Sequence, residues 1–306
     1  MAQNKISFKW SVKKGKDAFF YIWTLQNSDI TIDWGDGQSE VFHCEGLGAS
    51  LPYTYTRNNT FLSEDEINKI GHKYNSKGEY QVTVLIEDSG SIFFINAGNN
   101  GLCELSVSDA PDIAALDCSA SNLKTLDVSK NVALTELRCS NNPLTALDVS
   151  GNRHLEILDV NASECEGVLR TLDVSNNIAL KKLFCHSQKL QKLDVSNKVN
   201  LEELNCSFNK LTSLDVTYNV ELWSLDCSIN HLTDLDVTHN VALLALNCCH
   251  NHLTSLDVTH NVELCSLDCR ENKLKTLDLS KNIRLTKIDC GRNEFTSLLE
   301  LFNKTE

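Results

Sequence analysis

A 21-residue unit, repeated in register, constrains this chain more than any other feature. It reads LEELNCSFNKLTSLDVTYNVE over residues 201–221 and returns three more times, beginning at Leu222. Each unit contains two short alternations, such as 204–206 (LNC) and 214–216 (LDV), and period-two alternation predicts a strand with one buried face. Neither stretch is long enough for a helix of ordinary length. The repeat therefore predicts a flattened coil with two parallel sheets and no helices between them.

The leucine spacing and the repeat length together indicate a fold class. A period of about 20 to 29 residues with this spacing is the signature of a leucine-rich-repeat solenoid. An Asn follows each predicted strand, as at Asn209 and Asn219. Because Asn tolerates left-handed backbone and hydrogen-bonds nearby main chain, we expect these residues at sharp corners.

Eight of the thirteen cysteines occupy one position of the unit, and we call this column the cysteine ladder. Its members are Cys118, Cys139, Cys185, Cys206, Cys227, Cys248, Cys269 and Cys290. Val160 fills the position between Cys139 and Cys185, and the step from Val160 to Cys185 is 25 residues, which places a four-residue insertion around 162–169. Parallel cysteines on rungs about 4.8 Å apart do not suit disulfide geometry, so we expect reduced, buried thiols. A metal ladder is the alternative, disfavoured because no CxxC pair or inward His accompanies the column.

Five further cysteines lie outside the ladder without consistent spacing: Cys44, Cys103, Cys165, Cys249 and Cys265. We expect Cys249 at a surface position, and its neighbour His250 is not taken as evidence of a catalytic pair.

The motif LxxLxCxxNxLTxLDVSxNxx, which recurs over residues 95 to 298, resembles the cysteine-ladder repeats of the internalin J type. Those are bacterial surface proteins whose curved repeats contact host or matrix partners. The resemblance implies an extended binding surface and export from the cell. It transfers no individual ligand-contact residue, since the outward positions vary within that family.

Residues 1–90 are not repeats and show a different motif order. A WGDG turn at 34–37 is followed by HKY at 72–74 and by GEYQVTV at 78–84. Asp-Gly between two alternating segments predicts a tight hairpin. This order resembles the PKD domain, an immunoglobulin-like β-sandwich, and the resemblance implies a spacer or contact module without catalytic residues. Asp33, Asp36 and Glu40 could together bind calcium, but Asp in such a turn more often caps backbone N–H groups.

The domain organisation follows from these two patterns. We predict a PKD-like sandwich over 1–90 that serves as the N-terminal cap, and a solenoid over 91–306. The solenoid begins with a degenerate repeat over 95–115, with Ala97 at the ladder position, and ends with a C-terminal cap over 295–306. No Pro/Gly/Ser-rich spacer separates the two, so we expect direct packing.

Charge and hydropathy exclude some partners. The formal net charge is −13, which disfavours nucleic acid and anionic membranes, and no apolar run is long enough to span a bilayer. The N-terminal residues lack a signal sequence, whereas the family resemblance argues for a secreted or cell-surface protein. The expectation that reconciles them is a leader removed or replaced by Met-Ala.

The second half-repeat carries an Asp column, which comprises Asp127, Asp148, Asp173, Asp194, Asp215, Asp236, Asp257 and Asp278. Carboxylates at rung spacing repel each other, so they must be solvated or hydrogen-bonded. We interpret the column as a solubilising polar ladder flanked by Ser and Thr. Calcium binding or an acidic contact surface is the alternative.

Histidines cluster in the turns of two repeats. His239 pairs with His260 one unit later, and His231 pairs with His252. Stacked imidazoles could bind a transition metal, but variable surface turns are the favoured interpretation. No nucleophile–base set is present, so we predict no enzyme activity and no cofactor.

A local change in two columns predicts the binding site. The position after the first Leu turns apolar at Trp223 and Leu244, and the preceding corner turns aromatic at Tyr218, His239 and His260. We predict that these five residues form one exposed patch that binds a protein. Trp223 could instead fold over the corner and cover the core. A carbohydrate-binding or accessory module of a surface glycan system is the alternative function, although this solenoid offers few exposed rings for sugar stacking.

Overall fold

The computed structural model of the chain describes residues 4–12, 17–44, 46, 69–86, 91–98, 101–163 and 167–295. These residues form 17 β-strands and no helix. The chain divides into two compact units, Met1–His154 and Leu155–Glu306. Across the described ranges, no helix is long and apolar enough to cross a membrane.

The first unit holds ten strands. They are β1 (Asn4–Val12), β2 (Asp17–Thr24), β3 (Ser28–Asp33), β4 (Ser39–Cys44), β5 (Lys69–Lys73), β6 (Gly78–Ile86), β7 (Ile92–Asn96), β8 (Leu102–Asp109), β9 (Ala115–Asp117) and β10 (Glu136–Arg138). The second unit holds seven short ones. They are β11 (Ile157–Asp159), β12 (Lys182–Phe184), β13 (Glu203–Asn205), β14 (Ser224–Asp226), β15 (Ala245–Asn247), β16 (Ser266–Asp268) and β17 (Lys287–Asp289).

Two sheets pack face to face in the N-terminal part of the first unit. One has the order β4-β3-β6-β1-β8, with antiparallel pairing throughout, and β2 and β5 belong to the other. Phe8 on β1 meets Phe20 on β2 with ring centroids 5.2 Å apart, and Trp10 stacks on Trp34 at 6.4 Å. This arrangement is compatible with the PKD-like sandwich, which remains a prediction.

The WGDG turn is the predicted tight hairpin between β3 and β4. Trp34 N donates to Gln38 O at 3.0 Å, and Gly35 and Gly37 have φ of 72° and 89°. A Cβ at position 35 would lie 2.3 Å from a main-chain oxygen, so the turn requires glycine there. The Asp33 carboxylate accepts the Gly35 N–H at 2.9 Å, which is the predicted backbone-capping role.

Asp36 connects this turn to the HKY segment. Its carboxylate lies 2.9 Å from His72 Nε2, and the His72 ring stacks on Trp34 at 4.8 Å. Tyr74 completes the cluster by donating its hydroxyl to the Trp34 carbonyl at 2.9 Å. Burial alone would raise the pKa of Asp36, but the hydrogen bonds from His72 and the Gln38 N–H hold it below its usual value.

One sheet continues from the N-terminal strands into the repeats of the first unit. β2 pairs antiparallel with β7, and β7 pairs in parallel with β9. Ile95 lies opposite Leu116, which confirms the register predicted for the degenerate first repeat. The domain boundary at residue 90 remains a prediction.

The second unit is a stack of parallel strands. β11 to β17 pair in sequence order, with each strand in register with the next, as Leu204 is opposite Leu225. The leucines that recur in the repeats of this unit are buried, as Leu201, Leu204, Leu211 and Leu214 illustrate. Strands β9 to β17 are the nine ladder rungs that the repeat predicted.

The prediction of a second parallel sheet was wrong. The LDV segments of the described repeats, such as 214–216, carry no strand. Asp215 accepts the N–H of Thr217 at 3.0 Å, and Asn219 N donates to Val216 O at 3.0 Å. Because local turns satisfy these donors, the segment has no need of a cross-rung ladder.

Asn209 and Asn219 hydrogen-bond main-chain carbonyls, as expected, but the expected left-handed backbone was wrong for both. In the column of Asn209, the left-handed residue is the one before, such as Phe208 with φ of 53° or Ile229 with φ of 51°. Asn209 is buried instead, and its side-chain amide donates to the carbonyls of Cys185 and Cys206 at 2.9 and 3.0 Å. This Asn therefore recurs in the repeats because its side chain forms hydrogen bonds across rungs, and not because the corner needs a left-handed backbone at that residue. The predicted C-terminal cap beyond residue 295 and Cys165 lie outside the described residues.

Candidate contact surface

A buried asparagine column holds the corner that precedes each strand. Asn219 Nδ2 donates to Val195 O at 3.0 Å and to Lys198 O at 2.8 Å. Asn240 repeats both bonds one rung later, to Val216 O and Asn219 O. The main chain of the corner is therefore tied to the preceding rung before any ligand binds.

The five residues predicted to form a binding patch all lie on this corner and are exposed. They are Tyr218, Trp223, His239, Leu244 and His260. Tyr218 is 59% exposed, Leu244 is 41% exposed and Trp223 is 37% exposed. Trp223 therefore does not fold completely over the core, although most of its surface is covered. Their role in binding stays a proposal.

Main-chain hydrogen bonds show which of these residues are neighbours. Trp223 N donates to Glu202 O at 3.0 Å, Leu244 N to Trp223 O at 2.9 Å, and Cys265 N to Leu244 O at 2.8 Å. Glu202, Trp223, Leu244 and Cys265 are thus one column on consecutive rungs. Asn261 Nδ2 donates to Asn240 O at 2.9 Å, so His239 and His260, which directly precede these two residues, lie on neighbouring rungs as well.

A third column between these two was missed from the sequence. It consists of exposed β-branched residues at one position of the unit: Ile178, Val199, Val220, Val241, Val262 and Ile283. The signal was present, since Val or Ile follows the buried Asn of nearly every repeat, as in 219–220 (NV). We call the exposed set Tyr218, Val220, Trp223, His239, Val241, Leu244, His260 and Val262 the apolar corner.

The cysteines of the ladder lie where the repeat predicted, and their structural role stays a prediction. All eight of its cysteines are free thiols, and all except the half-buried Cys290 are buried. Burial raises the pKa of seven of these thiols, to about 12 for Cys185 and for Cys269; the others are Cys118, Cys206, Cys227, Cys248 and Cys290. Neutral thiols with such pKa values are poor nucleophiles and poor metal ligands.

Cys249 is not on the surface, contrary to the sequence-based expectation. It is 3% exposed, and Ser207 and Ser228 at the same position of the preceding rungs are also buried. Its N–H donates to Asn247 Oδ1 at 3.2 Å, and its thiol lies beside the Arg270 side chain. The side chain at this position is buried against the neighbouring rungs, because the Cys249 N–H is held by the side chain of Asn247, the last residue of β15. The thiol is thus shielded, and burial raises its pKa.

The Asp column forms local hydrogen bonds with the Ser or Thr two residues later. Asp236 Oδ1 accepts the Thr238 N–H at 2.9 Å and the Thr238 hydroxyl at 2.6 Å, and Asp257 bonds Thr259 in the same way. These bonds hold the pKa of both carboxyls below the usual value. The column is exposed and hydrogen-bonded, as its interpretation as a polar ladder requires.

The histidine pairs lie at the surface. The rings of His231 and His252 stack with centroids 5.9 Å apart, and His250 Nδ1 lies 2.8 Å from a carboxylate oxygen of Glu271. Among the described residues, no three His, Cys, Asp or Glu side chains are grouped to hold a metal ion.

The sequence matches no protein-family model and no curated protein. Solved structures are similar, however. The functional domain of InlJ from Listeria monocytogenes, which includes a cysteine ladder, is 28% identical, with 74% of this chain and 58% of that chain covered and a TM-score of 0.49. The present chain thus spans little more than half of that domain.

Two further structures match with higher TM-scores. An internalin (inlF) from Listeria monocytogenes is 17% identical, with 67% of this chain and 69% of that chain covered and a TM-score of 0.54. The leucine-rich-repeat ectodomain of the receptor kinase GASSHO1/SCHENGEN3 from Arabidopsis thaliana is 22% identical, with 61% and 25% covered and a TM-score of 0.56. The fold is a leucine-rich-repeat solenoid.

The solenoid surface around the apolar corner carries carboxylates without a cationic partner. Within the described part of the chain, Glu202, Glu221 and Asp226 form no ion pair. Asp226 accepts only neutral donors: the Ser228 N–H and hydroxyl at 3.0 and 2.6 Å, and the Asn247 amide at 3.2 Å. The solenoid therefore presents an apolar surface bordered by uncompensated negative charge.

Proposed function

We propose that this chain is a non-catalytic protein-interaction module of a secreted or surface-exposed bacterial protein. Its solenoid binds a host, matrix or cell-surface protein. The observation that carries the proposal is the apolar corner, where Tyr218, Trp223 and Leu244 are exposed beside the column of β-branched residues. Clustered exposed aromatic and aliphatic side chains are typical of protein contact sites.

The rigidity of the corner supports the same function. The buried amides of Asn219, Asn240 and Asn261 tie its main chain to the preceding rung at 2.8–3.0 Å. A surface that is ordered before binding loses little conformational entropy when a partner docks.

Neighbouring folds support the proposal by analogy only. The Arabidopsis ectodomain was solved in complex with CASPARIAN STRIP INTEGRITY FACTOR 2, so a fold of this class can present a surface to such a ligand. The resemblance of the repeats to internalin J and of residues 1–90 to a PKD domain supports a bacterial surface protein.

A carbohydrate-binding or accessory module is the alternative, and one cavity favours it. It measures about 260 Å³ and is lined by hydroxyls and carboxylates, including Thr212, Thr233, Asp215, Asp234 and Asp236. Such groups can hydrogen-bond sugar hydroxyls. None of the residues that line this cavity is aromatic, and stacking rings are the usual platform for a sugar, so the protein-binding proposal is preferred.

Paired affinity captures test the proposal. Wild-type protein and the Trp223→Ala variant are used as baits for labelled cell-surface and matrix proteins, and candidates retained only by the wild type are purified and measured directly. We expect at least one protein that binds the wild type and is lost with Trp223→Ala. A glycan array is probed in parallel. Saturable glycan binding that depends on Asp234 and Asp236, without protein binding, would favour the alternative.

A further inference from the structure

The charges that surround the apolar corner identify the kind of partner that fits it. Glu202 lies one rung from Trp223 in the same hydrogen-bonded column, and Glu221 lies two residues before Trp223 on the same turn. Trp223 directly precedes strand β14, and Asp226 is the last residue of that strand. At the usual rise of a strand, their Cα atoms are about 10 Å apart. Three acidic residues thus lie near Trp223, two of them along the chain and one on the preceding rung.

The cations of neighbouring rungs do not neutralise these carboxylates. On the rung before Glu202, Lys181 is paired with Glu156 and Lys182 with Glu203. Two rungs after Trp223, Arg270 is bonded to Asp268 and Asp289 at 3.3 and 3.2 Å. Each of these bases is already used by another acid. The uncompensated charge beside the apolar corner is therefore negative, as is the chain as a whole at −13.

The strand face beside the corner offers space for a peptide. Ser224, Ala245 and Ser266 occupy equivalent outward positions on consecutive strands, next to the larger Trp223 and Leu244. Because these side chains are small, we expect a shallow depression over them, bordered by the larger apolar side chains of Trp223 and Leu244. Asp226 is on the same face as Ser224, because residues two apart on a strand point the same way.

We infer that the apolar corner binds an extended segment of another protein that carries Lys or Arg beside aliphatic or aromatic residues. This inference rests on the proposed function. The apolar side chains contact Leu244 and the β-branched column, and a cation placed over the Trp223 indole gains from the ring and from Glu202 or Asp226. A second copy of this chain does not fit, because it would bring the same carboxylates and a charge of −13 toward each other.

A display library of random linear peptides, selected on the full chain, tests the inference. We expect enriched peptides to combine Lys or Arg with Leu, Ile or aromatic residues. For a synthetic enriched peptide, Trp223→Ala should raise Kd at least about tenfold. The double variant E202Q/D226N should raise Kd by about three- to tenfold and reduce the dependence of Kd on salt.

Matched variants separate binding effects from loss of folding. Asp226→Asn is conservative, because Asn205 and Asn247 hold that position on the adjacent strands and accept the same local N–H bond. Asp234→Asn removes one exposed charge from the opposite half-repeat, and Ile178→Ala shortens the apolar column far from Trp223. We expect both controls to bind like the wild type.

The other outcomes have distinct meanings. Enriched peptides that lack cations yet depend on Trp223 would overturn the inference and leave the proposed function standing. Peptides whose binding is unaffected by Trp223→Ala would overturn the inference and remove the apolar corner from the proposed function. A selection without enrichment, or a dimer of this chain that Trp223→Ala dissociates, would also overturn the inference.

Discussion

The side-chain amide of Asn240 donates a hydrogen bond to the carbonyl of Asn219, 21 residues earlier, at 2.8 Å. Asn261 and Asn282 repeat this bond on the next rungs. Buried carbonyls at a turn need donors, and the amides of Asn240, Asn261 and Asn282 each supply one to the preceding rung. The surface that we propose for binding is built on this buried column.

Lys198 breaks the asparagine column and gives the first prediction. It is fully buried where other repeats have Asn, and burial lowers the pKa of its ammonium. Lys198→Asn should raise the free energy of unfolding by about 1 kcal/mol or more, because it removes a buried cation and supplies an amide for the Val174 and Asn177 carbonyls. Urea denaturation measures the change.

The reverse substitution is the control. Asn240→Lys should lower the free energy of unfolding by about 2 kcal/mol or more, because it creates a second buried cation and removes two hydrogen bonds. If Lys198→Asn instead lowers the free energy of unfolding, Lys198 itself stabilises this rung and the account is wrong.

The cysteine ladder gives the second prediction. Cys227→Ser should lower the free energy of unfolding by about 1 to 3 kcal/mol, because it buries a hydroxyl with no assured partner. Cys227→Val should cost less, since Val160 fills this position in another repeat. In the native wild type, the buried ladder thiols should resist alkylation and then react on unfolding. A disulfide between adjacent ladder positions in the purified protein would contradict this account.

The sequence predicted the pairing register of the strands well, because the same 21-residue spacing recurs in most of the repeats. Ile95 opposite Leu116 and Leu204 opposite Leu225 follow directly from the 21-residue spacing. The second sheet was wrongly predicted because LDV alternates like a strand, whereas Asp215 bonds the Thr217 N–H and turns the chain. Alternation alone does not distinguish an extended strand from an extended segment with local side-chain bonds.

The candidate site was predicted only in part. Tyr218, Trp223 and Leu244 stood out because they depart from the pattern of their columns, and all three are exposed. Val220 and Val241 were missed because Val or Ile recurs at this position in nearly every repeat, and a recurring aliphatic residue is typical of a buried position. In each turn the Asn side chain is buried and the following Val is exposed, as at Asn219 and Val220. Only the structure shows which of the two faces solvent.

The Asp column gives the third prediction, on pH. The folded-state pKa of Asp236 is below its usual value, chiefly because the Thr238 hydroxyl and N–H bond the carboxylate. A depressed folded-state pKa contributes stability above the unfolded-state pKa of about 3.9, and this contribution is lost as pH falls through the folded-state pKa. The urea midpoint should therefore fall steeply below about pH 4.

Thr238→Val tests the cause of that shift. It keeps the shape of the side chain and removes the hydroxyl bond at 2.6 Å. The pKa of Asp236, followed by carboxyl NMR, should rise toward its usual value, while Asp257 one rung later should titrate as in the wild type. An unchanged Asp236 titration would exclude the hydroxyl as the cause.

The central claim is that the apolar corner binds a protein partner, and Trp223→Ala tests it most directly when affinity and thermal stability are measured on the same sample. Trp223 is 37% exposed on a corner whose main chain Asn219 and Asn240 already tie down. We predict that Kd for a captured partner rises at least about tenfold while Tm changes by no more than about 2 °C. A large fall in Tm with unchanged affinity would contradict the account, because it would make the indole a cover for the core and place the binding site elsewhere.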